Sequence, residues 1–176
     1  MTRILGLDLS LTATGICTVE GSTFTVSTRA AEGDRRLTTI GDAINHALVT
    51  TPVALAVIED LPTHAHSAGI TGMVHGVARL TLMRRGVPYA LVAPATLKAF
   101  ATGKGNATKS EMAVAAFRRG GETFGGDDNQ CDAWWLRQAG LHHLGAPEAI
   151  PLPKAQVARL DRVTWPDNLP IATEKP

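Results

Sequence analysis

The chain has 176 residues, 44% apolar and 19% charged, with a formal net charge of +1. That length suits one domain with a sizeable core, and two cysteines, Cys17 and Cys131, are too few for a disulfide framework. No apolar run approaches the roughly 20 residues of a membrane span, and the N-terminus lacks a signal-peptide layout. A reduced, cytoplasmic setting is therefore expected.

In chain order, RILGLDL (3–9) and TGICTV (14–19) read as strands joined by a tight turn, and STFTVST (22–28) alternates as a third. Their short connections predict an antiparallel meander. Leu37, Ile40, Ile44 and Leu48 recur at helical spacing and predict an amphipathic helix over 34–50. ALAVIE (54–59) is an apolar run closed by a carboxylate, the pattern of a buried parallel strand. A long helix follows over 67–85, carrying Gly69, Gly72 and Gly76, and then a strand over 87–93. Pro94 opens a short helix, the GKGNAT loop leads into a helix over 109–119, and DDNQCDAWWLRQAGLHHL forms the last long helix. After Gly145 the Pro-rich text predicts a tail over 146–176, not a separate domain, that partly covers the body or frays. The order predicts an α/β fold over 1–145: a five-stranded mixed sheet, three antiparallel strands then two parallel, flanked by helices.

The small net charge hides a local imbalance. Between residues 98 and 119 stand Lys98, Lys104, Lys109, Arg118 and Arg119 against the single acid Glu111, and Arg79, Arg84 and Arg85 precede them. A concentrated basic patch points to nucleic acid.

Four acids need explaining. Asp8 interrupts the apolar stretch ILGLDLS, where an unpartnered carboxylate is costly. Glu59 closes a strand. On the last helix Asp128 and Asp132 are four apart and Asn129 and Asp132 three apart, so all three share a face. If strands one and four are neighbours, these oxygens converge at one end of the sheet. An all-oxygen set suits Mg²⁺, which takes a few carboxylates, waters and substrate phosphate. Two ions about 4 Å apart would clamp the attacking and leaving oxygens of a phosphodiester.

Taken singly, each acid has an ordinary explanation. Asp8 can be hydrogen-bonded, Glu59 solvated, and DDNQ a helix cap whose acids favour the dipole. Asp127 is read only as that cap. His64 and His66 form an HxH pair with no neighbouring ligands to complete a zinc tetrahedron, and they are read at most as DNA contacts. His142 and His143 are expected to be exposed at a helix end. One of Trp134 and Trp135 is assigned to the core, the other to supporting the helix or meeting the tail. Cys131 is read as packing.

GLDLSLTATGICTV, VIEDLP, VAPATLKAFATGKGNATKSEM and DDNQCDAWWLRQAG, in that order between about residues 3 and 144, resemble the RuvC family of Holliday junction resolvases. The resemblance implies an RNase H-like fold, a homodimer, and symmetric cleavage of four-way DNA that leaves 5′-phosphate and 3′-hydroxyl ends. It implies two Mg²⁺ or Mn²⁺ ions per active site and a bacterial or phage source. Asp8, Glu59 and Asp132 are thereby implied as metal ligands, with Asp128 or Asn129 as the fourth. Lys98 and Lys109 are implied near the scissile backbone, Lys109 stabilising charge on the phosphate. Lys104, Arg35 and Arg36 are read as further phosphate contacts.

Two departures stand out. The family usually places Asp or His three residues before the last Asp, where this chain has Asn129. The full charge of Asp128 favours it over the amide. Family members often carry an aromatic residue shortly after the glutamate, where this chain has Leu61 and Pro62. Junction opening then uses other residues, or branch selectivity is relaxed. The helix over 67–85, with its glycines, is the expected dimer contact. The rival readings are a broader flap and fork nuclease of the same fold, and a junction-binding protein without catalysis. An actin-like or sugar-kinase-like nucleotide binder is disfavoured, because it needs two related domains.

Overall fold

A computed structural model describes residues 1–61 and 68–167. Pro62, the His64–His66 pair and the end of the tail lie outside the described residues. The strands are β1 (Ile4–Asp8), β2 (Ala13–Cys17), β3 (Thr23–Ser27), β4 (Leu55–Glu59) and β5 (Tyr89–Val92). The helices are α1 (Arg35–Thr50), α2 (Ala68–Arg84), α3 (Pro94–Thr102), α4 (Lys109–Gly120), α5 (Asp128–His143) and the single turn α6 (Lys154–Val157). Among the described residues no helix is long and apolar enough to cross a membrane.

The sheet has the order β3-β2-β1-β4-β5. β1 and β2, and β2 and β3, pair antiparallel, because their connections are too short for anything but hairpins. α1 and α2 are crossovers that return the chain in the same direction, so β1–β4 and β4–β5 are parallel. This is the expected mixed five-stranded sheet.

Strand alternation divides the interior into two layers. Ile4, Leu55 and Val57 pack with Phe100, Met112 and Trp135 under α3, α4 and α5. Leu5, Leu7, Ala56 and Ile58 pack with Ile40, Ile44, Val74 and Leu82 under α1 and α2. α5 is the central helix, with every residue from Cys131 to Leu141 buried except Asp132. It lies hard against the sheet because glycines line the contact. A Cβ on Gly6 would fall 2.0 Å from the Ala133 carbonyl oxygen, one on Gly15 2.1 Å from that of Asn129, and one on Gly140 2.6 Å from Ile4.

Two expectations are corrected. Trp134 and Trp135 are both core residues, edge to face at 4.9 Å, since a helix covered on all sides buries both positions. Trp135 also donates its Nε1–H to the Met112 carbonyl. Only His143 is exposed at the end of α5. His142 is half-buried, with Nε2 2.8 Å from the Ile150 carbonyl and its ring edge-on to Phe100. The cause is the segment after Gly145, which folds back over this end, buries Leu160 and Gln156, and sets Trp165 against His143. It is also less irregular than its prolines suggest, since α6 runs straight into a 3₁₀ turn over Ala158–Arg162.

The close seating of α5 gives a stability test. Gly6→Ala forces a methyl into a backbone carbonyl that cannot retreat without moving α5. It should cost about 3 kcal/mol, the upper part of the overpacking range, and lower Tm by roughly 6–12 °C in a calorimetric scan.

Candidate active site

Leu7 pairs with Ile58 in the parallel register of β1 and β4. The next step of that register sets Asp8 and Glu59 side by side at the strand ends. Alternation turns both toward the layer of Gly6 and Val57, which is the α5 layer. The first turns of α5 cross there and supply Asp132, the one incompletely buried position within its core-facing run.

The electrostatics record how closely the three acids meet. Burial pushes Asp8 up to about 7, helped by the charge on Asp132 and opposed by Lys109. Burial likewise pushes Glu59 up to about 8, with Asp8 and Asp132 adding to it and Lys98 opposing. Asp132 is raised to about 6, by burial first and then by Asp128, against the two lysines. None of the three side chains accepts a hydrogen bond among the described residues. Three half-buried carboxylates therefore repel one another with only Lys98 and Lys109 to offset them.

Lys109 is the first residue of α4, and its Nζ lies 2.8 Å from Asp128 Oδ2. That bond holds its pKa above the ordinary lysine value. The start of α4 is fixed by a capping box, in which the Thr108 hydroxyl accepts from the Glu111 N–H and the Glu111 carboxylate accepts from the Thr108 N–H. Glu111 also takes the ammonium of Lys104 at 3.0 Å, on the solvent side. Lys104 is thus tied to Glu111, apart from the acids.

Asp127 caps α5 as expected, accepting from the backbone N–H groups of Asn129 and Gln130 at 3.0 and 3.2 Å. Its second oxygen accepts from the Thr25 hydroxyl at 2.6 Å, and Thr23 donates to Gln130 Oε1 at 2.8 Å. These ties from β3 were not anticipated, although Thr23 and Thr25, two apart in a strand, necessarily share a face. They pin the start of α5 so that Asp128 and Asp132 are presented at a fixed rotation. Asn129 sits on Gly15 and turns its amide nitrogen to Asp127 at 3.4 Å. Arg35 and Arg36 open α1 in the opposite layer, and Arg36 donates to the Gly33 carbonyl.

The fold thus gathers Asp8, Glu59, Asp128, Asp132, Lys98 and Lys109, with Asn129 beside them. Lys104 points elsewhere, and Arg35 and Arg36 belong to the other layer. Among the described residues no three histidine, cysteine or acidic side chains, as they stand, are arranged to hold one ion. The chemistry of the donors nevertheless fits a hard divalent cation. All are oxygens, all are anionic when ionised, and a cation between them would remove the repulsion that raises their pKa values. Mg²⁺ needs only one or two of them besides water and substrate oxygens.

Comparison with known proteins bears on this site. The family model of the crossover junction endodeoxyribonuclease RuvC matches residues 4–118, which takes in Asp8, Glu59, Lys98 and Lys109. RuvC of Frankia casuarinae is 31% identical over 128 residues, covering 66% of this chain and 74% of that protein. RuvC of Nocardia farcinica is 32% identical over 128 residues, covering 66% and 68%. Among solved structures, Thermus thermophilus RuvC superposes with a TM-score of 0.65 at 20% identity, covering 86% of this chain and 100% of that one. The same protein in complex with Holliday junction substrate gives 0.69 with the same identity and coverage. At that identity the superposition speaks for the fold.

The buried acids make a prediction for the metal-free protein. Each binds its proton more tightly folded than unfolded, so the folded state carries the extra protons and stability falls as pH rises through the folded values. The useful window is pH 6.5 to 8.5, where Asp8 and Glu59 titrate and the histidines lowered by burial, His75, His142 and His143, no longer do. In chelator, Tm should fall by on the order of 4 °C across that window, and by less in Asp8→Asn. A Tm that rises with pH there would contradict the assignment.

Proposed function

Because the chain belongs to the RuvC family of crossover junction endodeoxyribonucleases, we propose that it resolves four-way DNA junctions by hydrolysing one phosphodiester in each of two symmetric strands. The observation that carries this reading is the convergence of Asp8, Glu59 and Asp132 on the α5 face of the sheet, with Lys98 and Lys109 beside them. In the reaction, water adds to phosphorus, the bond to the 3′ oxygen breaks, and that oxygen takes up a proton. The products carry a 5′-phosphate and a 3′-hydroxyl. Such a reading suits the cytoplasm of a bacterial or phage-infected cell.

Asp8, Glu59 and Asp132 would hold Mg²⁺ or Mn²⁺, two ions per site, with Asp128 preferred to Asn129 as the fourth ligand because it carries a full charge. When bound, the ions polarise the phosphate and lower the pKa of water. The protein's own residues do the rest. Lys109, kept cationic by its carboxylate neighbours, faces the phosphate oxygens as negative charge builds on them. Lys98, on the adjacent helix, positions the strand. Lys104, Arg35 and Arg36 are left as outlying phosphate contacts that add affinity without choosing the bond.

Two symmetric cuts require two sites, and α2 offers a surface for a second copy. Ile70, Met73, Leu80 and Met83 are exposed along it, and a Cβ on Gly69, Gly72 or Gly76 would meet open space. These glycines serve no packing inside the described chain. A twofold dimer would bury the stripe against itself and set two identical sites on one junction.

Three measurements test this. Asp8→Asn should reduce junction cleavage below detection in Mg²⁺ or Mn²⁺ while junction binding persists, and Lys109→Met should slow single-turnover cleavage about a hundredfold. Cleavage of flaps, forks or RNA at the junction rate would favour the broader nuclease reading instead. Saturating Mg²⁺ or Mn²⁺ should raise Tm by roughly 5–10 °C, and an unmoved Tm would remove the acids from the role of ligands. Leu80→Glu with Met83→Glu should convert a dimer to a monomer in sedimentation, and an unchanged mass would exclude α2 as the interface.

A further inference from the structure

The nuclease reading leaves unused a pair of arginines in the C-terminal segment, and any DNA role for them rests on that reading. After α5 the chain turns back and is anchored at three points. Gln156 is buried and donates to the Ala101 carbonyl at 3.4 Å. Leu160 is buried. Trp165 donates its Nε1–H to the Leu160 carbonyl and stacks on His143 at 3.9 Å. The 3₁₀ turn Ala158–Arg162 is thereby held against α3. Residues three apart eclipse in such a turn, so Arg159 and Arg162 stand on one side of it and Asp161 a third of a turn away.

That side opens on two adjoining clefts. The smaller, about 200 Å³, is walled by Thr96, Gly103, Gly105, Arg159 and Arg162 with two alanines of α3, and none of its walls is acidic. The larger, about 430 Å³, shares Thr96 and Arg162 and runs to Asp60, the neighbour of Glu59. Together they form a groove from the edge of β5, where Tyr89, Leu91 and Asp60 wall it, to the tail. Neither arginine forms an ion pair among the described residues, and the Nε of Arg159 is buried without an acceptor. Leu160 is the side chain of this turn spent on docking, whereas neither of its two arginines has an acidic partner among the described residues. Gly105 keeps the opposite wall low, since even a Cβ there would press on the Ala95 carbonyl at 3.3 Å.

We propose that this groove is a second DNA site, in which Arg159 and Arg162 bind consecutive phosphates of the sugar–phosphate backbone leading away from the cleaved bond. The guanidinium fork matches phosphate oxygens in geometry as well as in charge. The acid-free cleft sets the location. Asp60, whose Oδ1 already accepts the Leu61 N–H at 2.8 Å, marks the end that excludes phosphate. Contacts of this kind read no sequence and supply affinity and register.

The test uses the full chain carrying Asp8→Asn, so that a four-way junction stays intact, and measures binding over about 0.05 to 0.2 M salt. Arg162→Ala should reduce the slope of log affinity against log salt by about one unit, and the Arg159→Ala/Arg162→Ala pair by about two. The double variant should lose at least about tenfold in affinity near physiological salt. Arg159→Lys/Arg162→Lys should restore the slope. Arg162 is exposed, so its single variant decides the matter even where loss of Arg159 disturbs the turn. An unchanged slope in Arg162→Ala, or affinity lost at constant slope, overturns the proposal. Failure of the nuclease reading is distinct: the chain with Asp8 intact would then leave the junction uncut in Mg²⁺ or Mn²⁺, whatever the salt slopes of the arginine variants.

Discussion

The contact between α5 and the sheet is the constraint on which the rest of the structure depends. Gly6, Gly15 and Gly140 let helix backbone and strand approach to a distance that any side chain would forbid. At that distance the polar first turns of the helix and the carboxyl ends of β1 and β4 occupy one small volume. A larger residue at position 6 or 15 would lift α5 and draw Asp132 away from Asp8 and Glu59. The same contact that completes the core therefore also sets the spacing of the acids. The helix is pinned in rotation by ties from β3 to Asp127 and Gln130, so its register is fixed at the end where chemistry is proposed.

That arrangement works against stability. Burying three carboxylates within each other's field raises all three pKa values, and each shift measures free energy by which folding disfavours the ionised form. The lysines that offset this come from separate helices, α3 and α4, each started by its own local device: Pro94 at the first turn of α3, and the Thr108–Glu111 box of α4. Their placement thus depends on local sequence, while the strain they relieve is long-range. The remaining excess of negative charge is suited to relief by bound cations.

The strands and long helices were legible in the sequence because their signals are periodic. The spacing of Asp128 and Asp132 places them on one face of α5, and Asp8 and Glu59 meet once β1 and β4 are paired in register. What pattern could not supply was anything set by tertiary packing. Composition gives no sign that both Trp134 and Trp135 would be enclosed, because that depends on α3, α4 and the Gly120–Phe124 segment closing over this part of α5. His142 looked exposed for the same reason, since its partner Ile150 lies beyond a proline-containing turn. Lys104 stood in the basic run with Lys98 and Lys109, yet its position two residues after α3 directs it to Glu111. Charge density located the patch, and only the fold sorted its members.

The two layers of the sheet separate the tasks. The α5 layer holds every acid and both lysines of the site, while the α1/α2 layer presents the exposed apolar stripe. The only material they share is the sheet, whose strands are fully buried at Ile4, Leu5, Leu7 and Leu55 through Ile58 and rigid for that reason. A surface for a second copy on one layer can therefore vary without disturbing the spacing of carboxylates on the other. At the end of β4 the two layers' residues alternate directly, Glu59 facing the α5 layer after Ile58 has packed in the α1/α2 layer. α2 also seats Val74, Ala78 and Leu82 on the opposite face of these same strands, so the sheet itself links its position to the carboxylates.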